Sequence, residues 1–195
     1  TAPPEIYTLS LHDALPIFRC GDDTAARAGH LTLNPLVQMG PQSMLVLALI
    51  GIAWGAVPVN PGRLSRSGRA KVAFAGPAAN LLLAIVASGL AVVAARFLGD
   101  SEGRGAPYLF AKAAQANATL FVLNMLPIPM FDGWSVAESL APAMESFRLR
   151  IGPQLNWIIL LVMFLTPLFS FVWLGGDLIA VHALRLWATI LGLGG

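Results

Sequence analysis

At 195 residues, with 56% hydrophobic and only 11% charged side chains, the chain is too apolar for a soluble domain, and its mean hydropathy of +0.71 belongs to the membrane class. A formal net charge of +2 and a pI near 9.1 come without a basic face interleaved with aromatics, which sets nucleic acid aside as a partner. The single Cys20 excludes an internal disulfide framework and cannot by itself make a thiolate zinc site.

Residues 1–17 stand apart. The run Glu5-Ile-Tyr-Thr-Leu-Ser-Leu-His-Asp-Ala-Leu-Pro-Ile17 back-translates, codon for codon, into a widely used short-read sequencing adapter read in one frame. This segment is therefore expected to be a read-through artefact with no part in the fold, and His12 and Asp13 to carry no chemistry. The remaining residues, 18–195, read as a single membrane-embedded domain. With Glu5 and Asp13 set aside they carry 12 basic against 8 acidic residues, a net charge of +4.

Phe18 to Gln42 is the most polar stretch, and its Thr, Asn, Gly and Pro punctuation with the Leu31-Thr-Leu-Asn34 alternation predicts a short β-hairpin or loop. His30 lies there without a second His at helical spacing, and reads as a surface or hydrogen-bonding residue. Met44 to Val59 is apolar but short and interrupted by Gly51, Gly55 and Pro58, which fits a re-entrant segment at least as well as a full span. Val72 to Leu98 is long enough to cross a bilayer, and its Gly76-Pro77-Ala-Ala-Asn80 offers small residues for close helix packing. After a polar turn at Gly99 to Pro107, Tyr108 to Leu126 is the next predicted span.

That span runs into Asn124-Met-Leu-Pro-Ile-Pro-Met-Phe-Asp132-Gly-Trp134, the most informative stretch of the chain. Pro127 and Pro129 each remove an amide donor and disfavour helix in the residue before them, so the helix is expected to break here. Asp132 then admits two readings. It is either a solvated residue in an interfacial turn, or an acid at membrane depth, which is costly without a cation, metal or water.

Ser135 to Arg150 reads as a partly amphipathic interfacial helix and Leu155 to Leu174 as the clearest apolar run. Asp177 to Leu193 is either a last span or an interfacial helix, with His182 on its polar face. The predicted fold class is thus an all-α polytopic membrane protein with three to four transmembrane helices, a re-entrant segment and a short β-hairpin near the N-terminus. Arg63, Arg66, Arg69 and Lys71 cluster ahead of the first full span, whereas the next loop is acidic in balance. The positive-inside rule therefore puts residues 60–71 in the cytoplasm, and counting spans returns Asn124 to Asp132 to that side.

The pattern N-x-x-P-x-P-x-x-D-G resembles the second signature of the site-2 protease family of intramembrane zinc metalloproteases. Gly21-Asp-Asp-Thr-Ala-Ala-Arg27, Gly29-His-Leu-Thr-Leu-Asn-Pro35, Val57-Pro-Val-Asn-Pro61 and Ala75-Gly-Pro-Ala-Ala-Asn-Leu-Leu-Leu83 resemble further blocks of one prokaryotic branch, in the family's order. The resemblance implies an integral protein of the prokaryotic cytoplasmic membrane that cleaves transmembrane substrates with Zn²⁺. It assigns Asp132 as a metal ligand, Asn124 as a catalytic donor to the substrate carbonyl or oxyanion, and Pro127, Pro129 and Gly133 as supports of the motif. It also implies that the Leu31 to Asn34 edge pairs with the extended substrate. A zinc ion with an open position makes water nucleophilic near neutral pH and polarises the scissile carbonyl. The family's other ligands lie in an H-E-x-x-H helix, a motif that this sequence lacks. The natural gene is expected to carry it on an apolar helix ending a few residues before Gly21, and the chain as it stands to be inactive. Asn124 has a rival reading as a helix cap. For the chain, the rivals are a transporter or channel fragment using Asp132 for a proton or Na⁺, and a catalytically inactive scaffold of the same family.

Overall fold

The computed structural model describes residues 5–7, 19–29, 57–59, 63–99, 105–129, 131–141 and 165–193, with scattered positions between 32 and 48 and between 143 and 163. Its elements are β1 (Glu5–Tyr7), α1 (Thr24–Arg27), β2 (Val57–Val59), α2 (Arg66–Leu98), α3 (Ala106–Asn124), α4 (Asp132–Leu140) and α5 (Leu168–Ile190). They fall into two compact units, residues 1–76 with 135–142 and residues 77–134 with 143–195. Most of the predicted re-entrant segment, the turn at 100–104 and His30 lie outside the described residues.

The first unit is ordered by short-range polar bonds. Asp22, fully buried, accepts hydrogen bonds from the Thr24 amide at 3.0 Å and the Thr24 hydroxyl at 2.5 Å, which starts α1. Asp23 binds Arg27 at 2.6 Å and Arg63 at 2.5 Å, tying α1 to the approach to α2. The predicted hairpin over residues 18–42 is not found among the described residues. Thr32 Oγ1 accepts from the Asn34 amide at 3.2 Å, and Asn34 Oδ1 accepts from the Leu36 amide at 3.0 Å. These side chains take amides that a β-ladder needs, so the alternation that suggested a strand closes turns instead. Leu31 and Leu33 of the expected substrate-pairing edge lie outside the described residues. The one ladder described is elsewhere: β1 pairs antiparallel with β2, Glu5 opposite Val59 and Tyr7 opposite Val57. Residues 5–7 thus take part in the first unit, against the expectation that residues 1–17 have no part in the fold; Ile and Tyr favour strands whatever the origin of the segment that contains them.

Helix α2 begins where Ser65 Oγ accepts the Gly68 amide at 3.0 Å, an N-cap bond. Its 33 residues reach about 50 Å, well beyond the roughly 30 Å of a hydrocarbon core. Pro77 lies inside it and is fully buried, so the helix passes through the proline rather than stopping there. Among the described residues α2 and α5 are the two helices long and apolar enough to cross a membrane. Leu82, Leu83, Val86, Leu90 and Phe97 of α2 and Phe171, Leu174, Leu178 and Leu186 of α5 are exposed, an apolar surface that water does not favour.

The second unit is held by small residues. Ala84, Ala118 and Ala180 of α2, α3 and α5 are buried together. A Cβ on Gly176 would overlap Thr119, with the Thr119 Cα at 2.7 Å, and one on Gly175 would meet Val122 at 3.2 Å, so α5 lies directly on α3. Gln115 of α3 donates to Asp177 of α5 across the same contact. Trp187 packs over Gly89 and its indole N–H donates to the Ile85 carbonyl at 2.9 Å, linking α5 to α2. The boundaries expected for the last two segments shift accordingly. Pro167 takes the N-cap position of α5, and one helix continues through Gly175, Gly176 and Asp177 to Ile190. Proline is tolerated at a helix start, and the two glycines are where α3 comes closest.

Candidate functional site

Helix α3 ends at Asn124, and the chain turns tightly before α4 opens with Asp132 in its first turn. The Met125 amide closes α3 on the Phe121 carbonyl at 3.0 Å, and the Leu126 amide reaches Leu123 at 3.2 Å. Ile128 then donates to Leu126 at 2.8 Å, Phe131 to Ile128 at 2.9 Å and Trp134 to Phe131 at 3.1 Å. Pro127 and Pro129 occupy positions between these donors, where a missing amide costs nothing and a fixed φ limits the loop. The expected break is thus present, and it is a series of tight turns.

Gly133 is the clamp. A Cβ there would run into the Met125 carbonyl and lie 2.6 Å from the Leu126 oxygen, so the backbone of α4 rests directly on the end of α3. Asp132 and Asn124 are the residues preceding the two partners in that contact. Any side chain at 133 would push the two helix ends apart.

Asp132 accepts no hydrogen bond and makes no ion pair with another described residue. Burial pushes its carboxyl up from 3.8 to about 6, because the charged form loses hydration. The N-terminus of α4 favours an anion only modestly, by up to about 1 kcal/mol at ordinary exposure. Asn124 is half-buried, and its amide likewise bonds no other described residue. Trp134 is a site neighbour that sequence reasoning passed over. It is buried, its ring lies 5.8 Å from Phe147, and its indole N–H has no partner among the described residues. The adjacent D-G-W run was the available signal.

Among the described residues no group of three His, Cys, Asp or Glu side chains converges as a metal site. His182 is exposed on α5, with Nδ1 2.7 Å from the Leu178 carbonyl. A zinc ion needs three or four placed ligands, and Asp132 supplies one. The described donor set therefore does not by itself fit the metal.

Two helices of membrane-spanning length and a helix–turn–helix loop with a half-buried carboxylate are compatible with a membrane-embedded hydrolase or an ion-binding protein. The names of its relatives favour the first. The chain is 31% identical over 176 residues to YwhC of Bacillus subtilis, provisionally named a zinc metalloprotease, covering 86% of this chain and 80% of that protein. It is 33% identical over 172 residues to Rip2 of Mycobacterium tuberculosis, also provisionally named a zinc metalloprotease, and 32% identical to Rip2 of Mycolicibacterium smegmatis; each match covers 83% of this chain and 65% of the relative. No family model matches, and no solved structure does. This chain belongs to the site-2 protease family.

Proposed function

We propose that this chain is the greater part of a zinc-dependent intramembrane endopeptidase that cleaves transmembrane segments of other membrane proteins. The carrying observation is Asp132: a half-buried carboxylate at a turn between helices, without a described partner, its backbone locked by the contact of Gly133 with Met125. Such a group calls for a cation. Asp132 serves as one metal ligand, and the other two are the histidines of an H-E-x-x-H helix that this sequence does not contain. Asn124, at the end of α3 with its amide bonded to no other described residue, orients the substrate carbonyl. Pro127 and Pro129 hold the loop, and Gly133 sets its distance from α3.

The protein is integral to a prokaryotic cytoplasmic membrane, with three to four spans in all. Residues 60–71 and the Asn124–Asp132 loop are on the cytoplasmic side, as the Arg63, Arg66, Arg69 and Lys71 cluster favours. Residues 1–17 are foreign to it, and the chain as it stands cleaves nothing. The test is cleavage of a transmembrane reporter by the complete protein with and without a zinc chelator, beside the 195-residue chain. Chelator-sensitive cleavage by the complete protein alone is expected. Cleavage that survives full removal of metal sinks the reading.

A further inference from the structure

An apolar cavity of about 460 Å³ opens beside the loop that carries Asp132. Val122 and Leu126, on either side of Asn124 in the chain, form one wall with Ile128, and Phe171 of α5 also lines the cavity. Met163 and Val172, both buried, make the floor. The volume falls in the range of roughly 300–1,000 Å³ typical of ligand pockets. No charged or polar side chain lines it, so by charge complementarity its occupant is uncharged and apolar. The wall is also preformed. Leu126 and Ile128 each precede a proline, and the Ile128 amide is bonded back to Leu126 at 2.8 Å.

We propose that this cavity receives the bulky apolar side chains next to the scissile bond of the substrate and so determines where the enzyme cuts. The inference rests on the endopeptidase reading. A substrate strand presented to Asn124 and Asp132 runs along the loop whose other side chains form the cavity wall, so the positions flanking the scissile bond are the ones within its reach. A lipid acyl chain is the competing occupant. It lies as well on any exposed apolar face, such as Leu82, Leu83 and Val86 of α2, whereas the cavity has a concave floor built against the loop.

The experiment uses the complete protein in vesicles. Transmembrane reporters carry Ala, Leu, Phe or Asp at each position flanking the cleavage site, and the ratio of kcat/KM values between them is read. Wild type is expected to prefer Leu or Phe over Ala by more than about 10-fold at one position, as a pocket tuned to a few methylenes does. Val172→Phe, which fills the floor, should lower that ratio, and Met163→Ala, which deepens it, should shift preference from Leu towards Phe. Two variants of opposite sense guard against a fold defect, because misfolding lowers all rates and leaves the ratios alone. Wild-type cleavage with ratios that neither variant moves overturns the pocket and leaves the endopeptidase reading intact. A uniform rate change that follows acyl-chain length identifies a lipid occupant and overturns it too. If the complete wild-type protein cuts no reporter, the endopeptidase reading fails, and the pocket assignment with it.

Discussion

Asp132 and Asp177 are both carboxylates set among apolar side chains, and the fold deals with them in opposite ways. Asp177 lies within α5, a helix of membrane-spanning length, and accepts a hydrogen bond from Gln115 of α3, beside the close contact of Gly176 with Thr119. Asp132 opens α4 without any such bond from a described residue, and its carboxyl is pushed up to about 6. A polar group that only holds helices together is satisfied by its neighbours. One without a described partner, on a backbone as tightly constrained as the Met125–Gly133 contact, is open to a ligand from beyond the described residues.

The sharpest way to break this contrast is to remove each acid in the complete protein. Asp132→Asn should lower reporter cleavage by more than about 100-fold, since loss of a mere outer-shell partner of a metal already costs 10–100-fold. Asp177→Asn keeps an acceptor for Gln115 and should leave cleavage within a few-fold of wild type. Equal losses from both substitutions would erase the distinction.

Next in size are the two glycine contacts. Gly133→Ala drives a Cβ into the Met125 backbone, which has no rotamer to yield, and should cost about 1–3 kcal/mol or more, together with activity. Gly176→Ala meets Thr119 and should cost a similar amount of stability while its effect on cleavage follows stability alone. Thermal unfolding in detergent alongside cleavage separates them. Smaller still, Asp177→Leu leaves the Gln115 amide without its acceptor and should cost about 1 kcal/mol, the scale of an interhelical hydrogen bond in a membrane.

A separate effect is expected on pH dependence. Because burial raises the Asp132 carboxyl from 3.8 to about 6, the unfolded chain ionises first as pH rises, and folding loses stability between those values. Below 3.8 both states are protonated and the penalty is absent; above about 6 it is complete. Metal-free wild type should therefore lose stability relative to Asp132→Asn on going from pH 4 to pH 7. A difference that stays flat with pH would mean that Asp132 is paired after all.

Much of this contrast was legible in the residues. The N-x-x-P-x-P-x-x-D-G run marked the break and its acid, and the apolar stretch Val72 to Leu98 marked most of α2. Period-two reading failed at Leu31 to Asn34 because it ignored that Thr32 and Asn34 turn the chain with their own side chains. The break at Pro167 and the continuous α5 were missed because Gly175-Gly176 looks like a helix end until the close approach of Val122 and Thr119 is seen. Gly133, Gly89 and Trp134 likewise owe their roles to tertiary contacts, to Met125, Trp187 and Phe147, that no local pattern encodes.

The most direct test of the central claim is the zinc content of the complete protein purified beside its Asp132→Ala variant, with Asp177→Ala as the control. The account predicts about one zinc per wild-type chain, the same for Asp177→Ala, and loss of most of it from Asp132→Ala, because a site reduced to two protein ligands holds the metal weakly. Undiminished zinc in a folded Asp132→Ala protein would contradict it.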